Sequence, residues 1–182
     1  MNKLKELFGS TTSQEPSHSL VIAQYERADF TVGNEEEFHW ALIVLTNVRE
    51  QKGPSWQALE YNYSDGRGLV WRLVAADVGL PKSEKCFGGV RIGTIKSEDI
   101  ATMDEIIKSN VPSPKFDGWT CRDWIMETLE LIEPKGWVDP KVTTQSSLIP
   151  FMKKASQATQ TKRETKKKRE VVIVEFKEEG DE

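Results

Sequence analysis

The fold is predicted from one stretch of the chain, Trp119-Thr120-Cys121-Arg122-Asp123-Trp124-Ile125. From this stretch onward, apolar or semi-polar residues recur at the spacing of one buried helix face, at Cys121, Trp124, Ile125, Thr128, Leu129 and Ile132. Gly118 favours a turn just before it, so we expect Cys121 in the first turn of an amphipathic helix that runs to about Glu133. A thiol there faces unpaired N–H groups and the positive end of the helix dipole, which both favour the thiolate. Cys121 is therefore a candidate nucleophile.

A cysteine nucleophile needs a base within hydrogen-bond reach, and the chain has only two histidines. One of them, His39, begins the most strand-like run of the sequence, Phe38 to Leu45. Side chains alternate along a strand, so His39 is expected to share one face with Ala41 and Ile43. We expect His39 to be the base for Cys121.

The base in turn needs a polar group that holds its ring in the right tautomer. If the next strand pairs antiparallel with the His39 strand, Glu60 or Asn62 comes beside His39 and can accept its hydrogen bond. The residues alone leave a second interpretation open, in which Cys121 is a small core residue and His39 a polar residue at a strand end. The other cysteine, Cys86, precedes Phe87-Gly88-Gly89 and is interpreted as structural.

Strand-like runs precede helix-like runs along the chain, at residues 20–25, 38–45, 56–63, 69–74 and 87–95. A helix that begins near Ser97 and the Cys121 helix follow them. This order predicts an α+β domain in which an antiparallel sheet packs against helices. We place the domain at residues 19–140, between a mobile N-terminal arm, residues 1–18, and a polar C-terminal tail, residues 141–182, which is first basic and then acidic.

Composition narrows the function classes. Two cysteines and two histidines at no close spacing cannot build a zinc-type site, so neither a metal nor another cofactor is expected. No apolar run approaches the roughly 20 residues of a membrane span, and the N-terminus lacks the apolar core of a secretory signal. The sequence thus predicts an intracellular protein, cytoplasmic or nuclear. We do not expect nucleic acid as a partner, because the net charge is −4 and the basic residues cluster in the tail.

The tail has two features of its own. Six of the eight residues from Lys162 to Arg169 are basic, which is typical of a solvated run, a nuclear import signal or a nucleic-acid patch. A β-branched run then follows and is closed by acidic residues; it comprises Val171, Val172, Ile173 and Val174. This run resembles a SUMO-interacting motif, which adds a strand to a partner's sheet. The alternative is an edge strand of this same domain.

The order of His-bearing strand, polar second strand and Cys-bearing helix resembles the circularly permuted papain-like (NlpC-type) superfamily. The run from Phe38 to Val44 is similar to the His-Trp-Ala strand of its lecithin:retinol acyltransferase-like branch, and Cys121-Arg122-Asp123-Trp124 is similar to the Asn-Cys-Glu helix start of that branch. More closely, residues 20–131 resemble an uncharacterised family of small fungal proteins with His-Trp-Ala-Leu and Trp-Asn-Cys-x-x-Trp motifs. Thr120 departs from the Asn of those sequences, and Glu60 stands where they often have His.

This resemblance implies a permuted papain-like fold with Cys121 as nucleophile, His39 as base and a polar orienting residue on the second strand. The implied chemistry is attack on an amide, ester or thioester of an unknown acyl or peptide substrate through an acyl-enzyme. The oxyanion would lie near the Cys121 backbone N–H. The alternative is a non-catalytic papain-like module that recruits a protein partner through the C-terminal strand.

Overall fold

The structure, a computed structural model, describes residues 16–166 and 169–177. Its strands are β1 (Ser17–Tyr25), β2 (His39–Leu45), β3 (Lys52–Tyr63), β4 (Gly68–Gly79), β5 (Cys86–Lys96) and β6 (Ile173–Glu175). Its α-helices are α1 (Ile100–Ser109), α2 (Cys121–Ile132) and α3 (Gln145–Lys166). The predicted α+β class is confirmed. Most of the predicted N-terminal arm, residues 1–15, lies outside the described residues, and β1 begins at Ser17.

All six strands form one sheet in the order β4-β3-β2-β1-β5-β6. Each neighbouring pair is antiparallel except β5 and β6, which are parallel. The central strands β1 and β2 read as continuous apolar runs because both of their faces are covered. Tyr25 at the end of β1 pairs with His39 at the start of β2, so these two residues lie at the same end of the sheet.

The two faces of the sheet bury different alternate residues of the same strands. The face that packs against the helices belongs to the main core, to which β1 and β2 contribute Leu20, Ile22, Trp40, Leu42 and Val44. The opposite face forms a smaller cluster of Val21, Ala23, Ile43, Leu45, Leu80, Cys86 and Val171. His39 shares the alternation of Ala41 and Ile43 and therefore belongs to the second face, although α2 lies on the first. At the strand end it can still meet the helix.

The stretch that we interpreted as a polar tail is built into this domain. The helix α3 buries Leu148, Met152, Ala155, Ser156 and Thr159, and it packs mainly on β5. The sequence missed this helix because Pro150 interrupts it and its buried side includes small and polar residues.

The apolar run after α3 is the edge strand of the same sheet. Ile173 and Val174 of β6 pair with Gly89 and Val90 of β5. Val171 is buried, and its backbone N–H donates to Gln51 Oε1 at 2.9 Å. Of the flanking charges, Lys167, Lys168 and residues 178–182 lie outside the described residues. In the structure, the apolar run is thus an edge strand of its own domain, as the second of the two interpretations predicted.

Within residues 16–166 and 169–177, no helix combines the length and the apolar character that crossing a bilayer requires.

Candidate active site

The first turn of α2 places Cys121. Thr120 is the N-cap residue, and its Oγ1 accepts a hydrogen bond from the Arg122 N–H at 3.3 Å. Asp123 reaches back to the cap, where its Oδ2 accepts from the Thr120 N–H at 2.7 Å. Together they form a capping box, which fixes the start of the helix at Cys121. The sequence expectation of a cysteine at a helix start is confirmed.

Two further contacts hold this helix start against the start of β2. The Arg122 guanidinium donates to the Phe38 carbonyl oxygen at 3.3 Å, one residue before His39. The Trp40 backbone N–H donates to the Cys121 sulfur. Because both contacts involve the neighbours of His39, the helix start and the histidine are placed by the same segment of chain.

The side chains of Cys121 and His39 are neighbours that act on each other's pKa, and a third residue holds the ring. The His39 Nε2 lies 2.8 Å from Gln57 Oε1 on β3. Since the amide oxygen can only accept, Nε2 carries a proton, and Nδ1 is the nitrogen left for the thiol. The Tyr25 ring lies beside the imidazole, with 6.2 Å between the ring centroids. The cysteine, the imidazole and the amide thus lie in one series, in which the amide is hydrogen-bonded to the imidazole.

Opposite pKa shifts accompany this arrangement. Burial by itself raises the pKa of the Cys121 thiol, but the hydrogen bond and charge of His39, the Trp40 N–H and the Arg122 charge outweigh it, so the pKa is lowered overall. Burial by itself lowers the pKa of His39, but Cys121 and the hydrogen bond to Gln57 outweigh it, so that pKa is raised. Both shifts favour a thiolate–imidazolium pair.

The structure places neither Glu60 nor Asn62 beside His39. In the observed register Ile43 pairs with Ser55 and Leu42 with Trp56. Continuing that register puts Gln57 on the face of His39, and Glu60 and Asn62 on the other face, because side chains alternate. Both are exposed on the part of β3 that pairs with β4, where Glu60 is opposite Trp71. The expected orienting residue is therefore corrected to Gln57.

A cleft of about 860 Å³ opens on the imidazole side of this pair. It is lined by His39, Gln57 and Tyr25 and lies on the sheet face opposite the helices. The Cys121 side of the pair is closed, since that residue is only 3% exposed. Of the reactive pair, His39 lines this cleft and Cys121 does not.

Comparison with known proteins gives a family. The model of a family of unknown function, DUF6914, matches residues 18–172. The chain belongs to this family. No curated protein and no solved structure matches it. The DUF6914 match includes His39, Gln57 and Cys121, and it extends through α3, so the family's domain is longer than the one predicted at residues 19–140.

The second cysteine of this DUF6914 protein differs in its surroundings. Cys86 is fully buried, and burial raises the pKa of its thiol to about 12. Its side chain hydrogen-bonds with that of Tyr25, whose pKa is also raised, first of all by burial. Cys86 stays protonated at neutral pH and packs as a core residue, as the sequence predicted.

No group of three or more His, Cys, Asp or Glu side chains in the described part of the chain is arranged to hold a metal ion. Sequence reasoning missed Gln57 because the choice among polar residues of β3 depends on the β2–β3 register. The available signal was that Gln57 is two residues after Ser55 and therefore lies on the same face of β3.

Proposed function

We propose that this protein is a cysteine-dependent hydrolase or acyltransferase that acts on an amide, ester or thioester through an acyl-enzyme. The observation that supports this most directly is the placement of Cys121 at a capped helix start beside His39, whose ring is held by Gln57 at 2.8 Å. The lowered pKa of Cys121 and the raised pKa of His39 agree with it. A nucleophile, a base and a residue that orients the base are the parts that such chemistry needs.

In the first step, the Cys121 thiolate attacks the carbonyl carbon, forms a C–S bond and pushes the carbonyl electron pair onto oxygen. His39, as imidazolium, then gives its Nδ1 proton to the leaving nitrogen, oxygen or sulfur while the bond to that atom breaks. In the second step, neutral His39 takes a proton from water or another acceptor, which attacks the acyl-enzyme and releases the Cys121 thiolate. Water gives hydrolysis, and any other acceptor gives acyl transfer.

Two features of the chain assist these steps. Cys121 is the first residue of α2, so its backbone N–H has no intrahelical acceptor and can donate to the developing oxyanion. Gln57 keeps the proton on Nε2, so that Nδ1 exchanges its proton with the sulfur and the leaving group. The roles of the three side chains follow the resemblance to permuted papain-like proteins, with an amide as the orienting group.

The proposal is tested by the pH dependence of Cys121 alkylation with iodoacetamide. The ordinary pKa of a free cysteine thiol is about 8.5. We expect the alkylation rate of Cys121 to stay high at pH values well below it. Peptide mapping by mass spectrometry separates the two cysteines, since Lys96 and Lys108 lie between them in sequence. Buried Cys86 supplies an internal comparison because its pKa of about 12 predicts slow reaction.

His39→Asn is the matched variant, and its circular dichroism spectrum and thermal midpoint show whether it folds. In the folded variant the low-pH reactivity of Cys121 should be lost. A Cys121 that reacts only near the ordinary thiol pKa and does not depend on His39 would make it a core residue and remove the proposal.

The rival hypothesis, a non-catalytic module that recruits a SUMO-like partner through Val171 to Val174, has less support. Val171 is buried, and β6 already pairs with β5, so the apolar residues would have to leave their own sheet. This rival predicts that a variant lacking residues 171–182 loses partner capture while Cys121→Ala does not.

We further propose an intracellular location, in the cytoplasm or nucleus. Cys86 and Cys121 are both free, and a thiolate nucleophile persists in a reducing compartment. Imaging of the full chain fused to a fluorescent protein tests this location, and a secreted or vesicular signal would contradict it.

A further inference from the structure

We propose that the substrate carries an anionic group, such as a carboxylate near its scissile acyl bond, which lysines bind in the cleft beside His39. This inference rests on the proposed function, since it assigns a substrate class to the same site.

The cleft beside His39 is lined by three lysines, Lys52, Lys82 and Lys85, all of them exposed. Lys52 is partly neutralised, because its ammonium forms an ion pair with Glu50. Neither Lys82 nor Lys85 forms a close ion pair within the described residues, although the charges of Lys82 and Glu50 act on each other. These two lysines are therefore the cations that can bind a ligand in the cleft.

Two carboxylates, those of Glu26 and Asp77, also line the cleft and oppose the lysines. Further cations adjoin the reactive pair itself, however. The charge of Arg27 acts to lower the pKa of His39, and the charge of Arg122 acts to lower the pKa of Cys121, so both lie within electrostatic range. Glu50 offsets one lysine, so the charges at the cleft itself balance, and Arg27 and Arg122 beside the reactive pair supply the positive excess that favours an anionic ligand over a cationic one.

The placement also suits a ligand held at two points. The lysines and His39 line one and the same cleft, whose volume of about 860 Å³ matches a small molecule or a short peptide segment. A carboxylate on Lys82 and Lys85 would leave the acyl group of the same molecule free to reach the His39 side of Cys121. Lysines act here as charged points, so they select for charge more than for a particular shape.

The test compares two reagents of nearly equal size, anionic iodoacetate and neutral iodoacetamide. Each forms a C–S bond to the thiolate and releases iodide, so they differ in charge alone. The measured quantity is the ratio of the iodoacetate rate to the iodoacetamide rate at Cys121, at pH 7 and low salt, divided by the same ratio for 2-mercaptoethanol, a thiol with no other charge. We expect a normalised ratio above one that falls toward one in 0.5 M salt, because salt screens the lysines.

The decisive variant is Lys82→Glu/Lys85→Glu, for which we expect the ratio to fall about threefold or more. The matched control is Lys135→Glu/Lys154→Glu, which reverses two exposed lysines that do not line the cleft and should leave the ratio unchanged. Neither pair belongs to the reacting groups, and both variants are checked by thermal unfolding.

An equal ratio in the two variants, or a normalised ratio at or below one in the parent, overturns the substrate class while leaving the proposed function standing. The proposed function fails by a different readout, namely an iodoacetamide rate that depends on pH as an ordinary thiol does. If neither reagent modifies Cys121, both inferences fall together.

Discussion

Replacing Gln57 with Leu removes a residue that tunes the reactive pair without taking part in the chemistry. Gln57 Oε1 accepts from His39 Nε2 at 2.8 Å, and this hydrogen bond is one of the causes that raise the His39 pKa. Leucine has a similar size but cannot accept, so the imidazole N–H loses its partner. The thiolate–imidazolium form should lose more stabilisation than the thiol–imidazole form.

The size of the effect follows from the charge on the donor. A hydrogen bond to a charged group contributes roughly 1.5–3 kcal/mol and one between neutral groups roughly 0.5–1.5 kcal/mol. The difference of about 1 kcal/mol corresponds to about a fivefold fall in the ratio of the ion pair to the neutral pair. Alkylation of Cys121 between pH 5.5 and 7 should slow by up to that factor. At a pH where every Cys121 is a thiolate, the rate should be nearly unchanged.

Gln57→Glu is the matched change in the opposite direction. It keeps an acceptor of similar reach and adds a negative charge next to the imidazole, which should raise the His39 pKa further. The assay is iodoacetamide kinetics from pH 5 to 10 with peptide mapping of Cys121. Superimposed profiles for the parent, Gln57→Leu and Gln57→Glu, in folded variants, would refute the role assigned to Gln57.

Two other predictions concern the reactive pair and the C-terminal strand. In Cys121→Ala the pKa of His39 should fall below its ordinary value of about 6.5, because burial lowers this pKa and Cys121 no longer opposes it. NMR titration of the imidazole C–H signals measures the His39 pKa. A value that stays raised would contradict the pairing of His39 with Cys121. Val171→Asp should reduce the free energy of unfolding by about 3 kcal/mol or more, since Val171 is 1% exposed and the change buries a carboxylate. Val48→Asp, at a residue that is 69% exposed, is the control in chemical denaturation. Equal stability of the two variants would mean that the strand does not hold to the sheet.

The elements that the sequence predicted best are those with strong apolar periodicity. The helix face from Cys121 to Ile132 matches the buried face of α2 residue by residue. The strand that begins at His39 was also predicted, because five successive apolar residues after Trp40 leave little choice. In both cases burial of a continuous apolar pattern dictates the element, so local sequence was sufficient.

The helix α3 lacked that signal. Its buried positions include Ala155, Ser156 and Thr159, which carry little apolar surface. They pack closely instead: a Cβ added at Gly88 would lie 2.7 Å from the Ala155 Cβ. Ser156 also donates to the buried carboxylate of Glu35, a contact between residues far apart in sequence. Close packing and distant polar partners leave no periodic pattern, which is why the helix read as a polar tail.

The choice between Gln57 and Glu60 depends on a backbone contact that composition does not reveal. A Cβ added at Gly53 would lie 1.9 Å from the Val44 carbonyl oxygen, so only glycine allows β2 and β3 to approach there. The preceding turn ends at Gln51, whose φ of 49° is in the left-handed region. A shift of one residue would bring a side chain to the place of Gly53 and would turn Gln57 to the opposite face. The same close contact that starts the hairpin therefore determines that an amide, and not a carboxylate, faces His39.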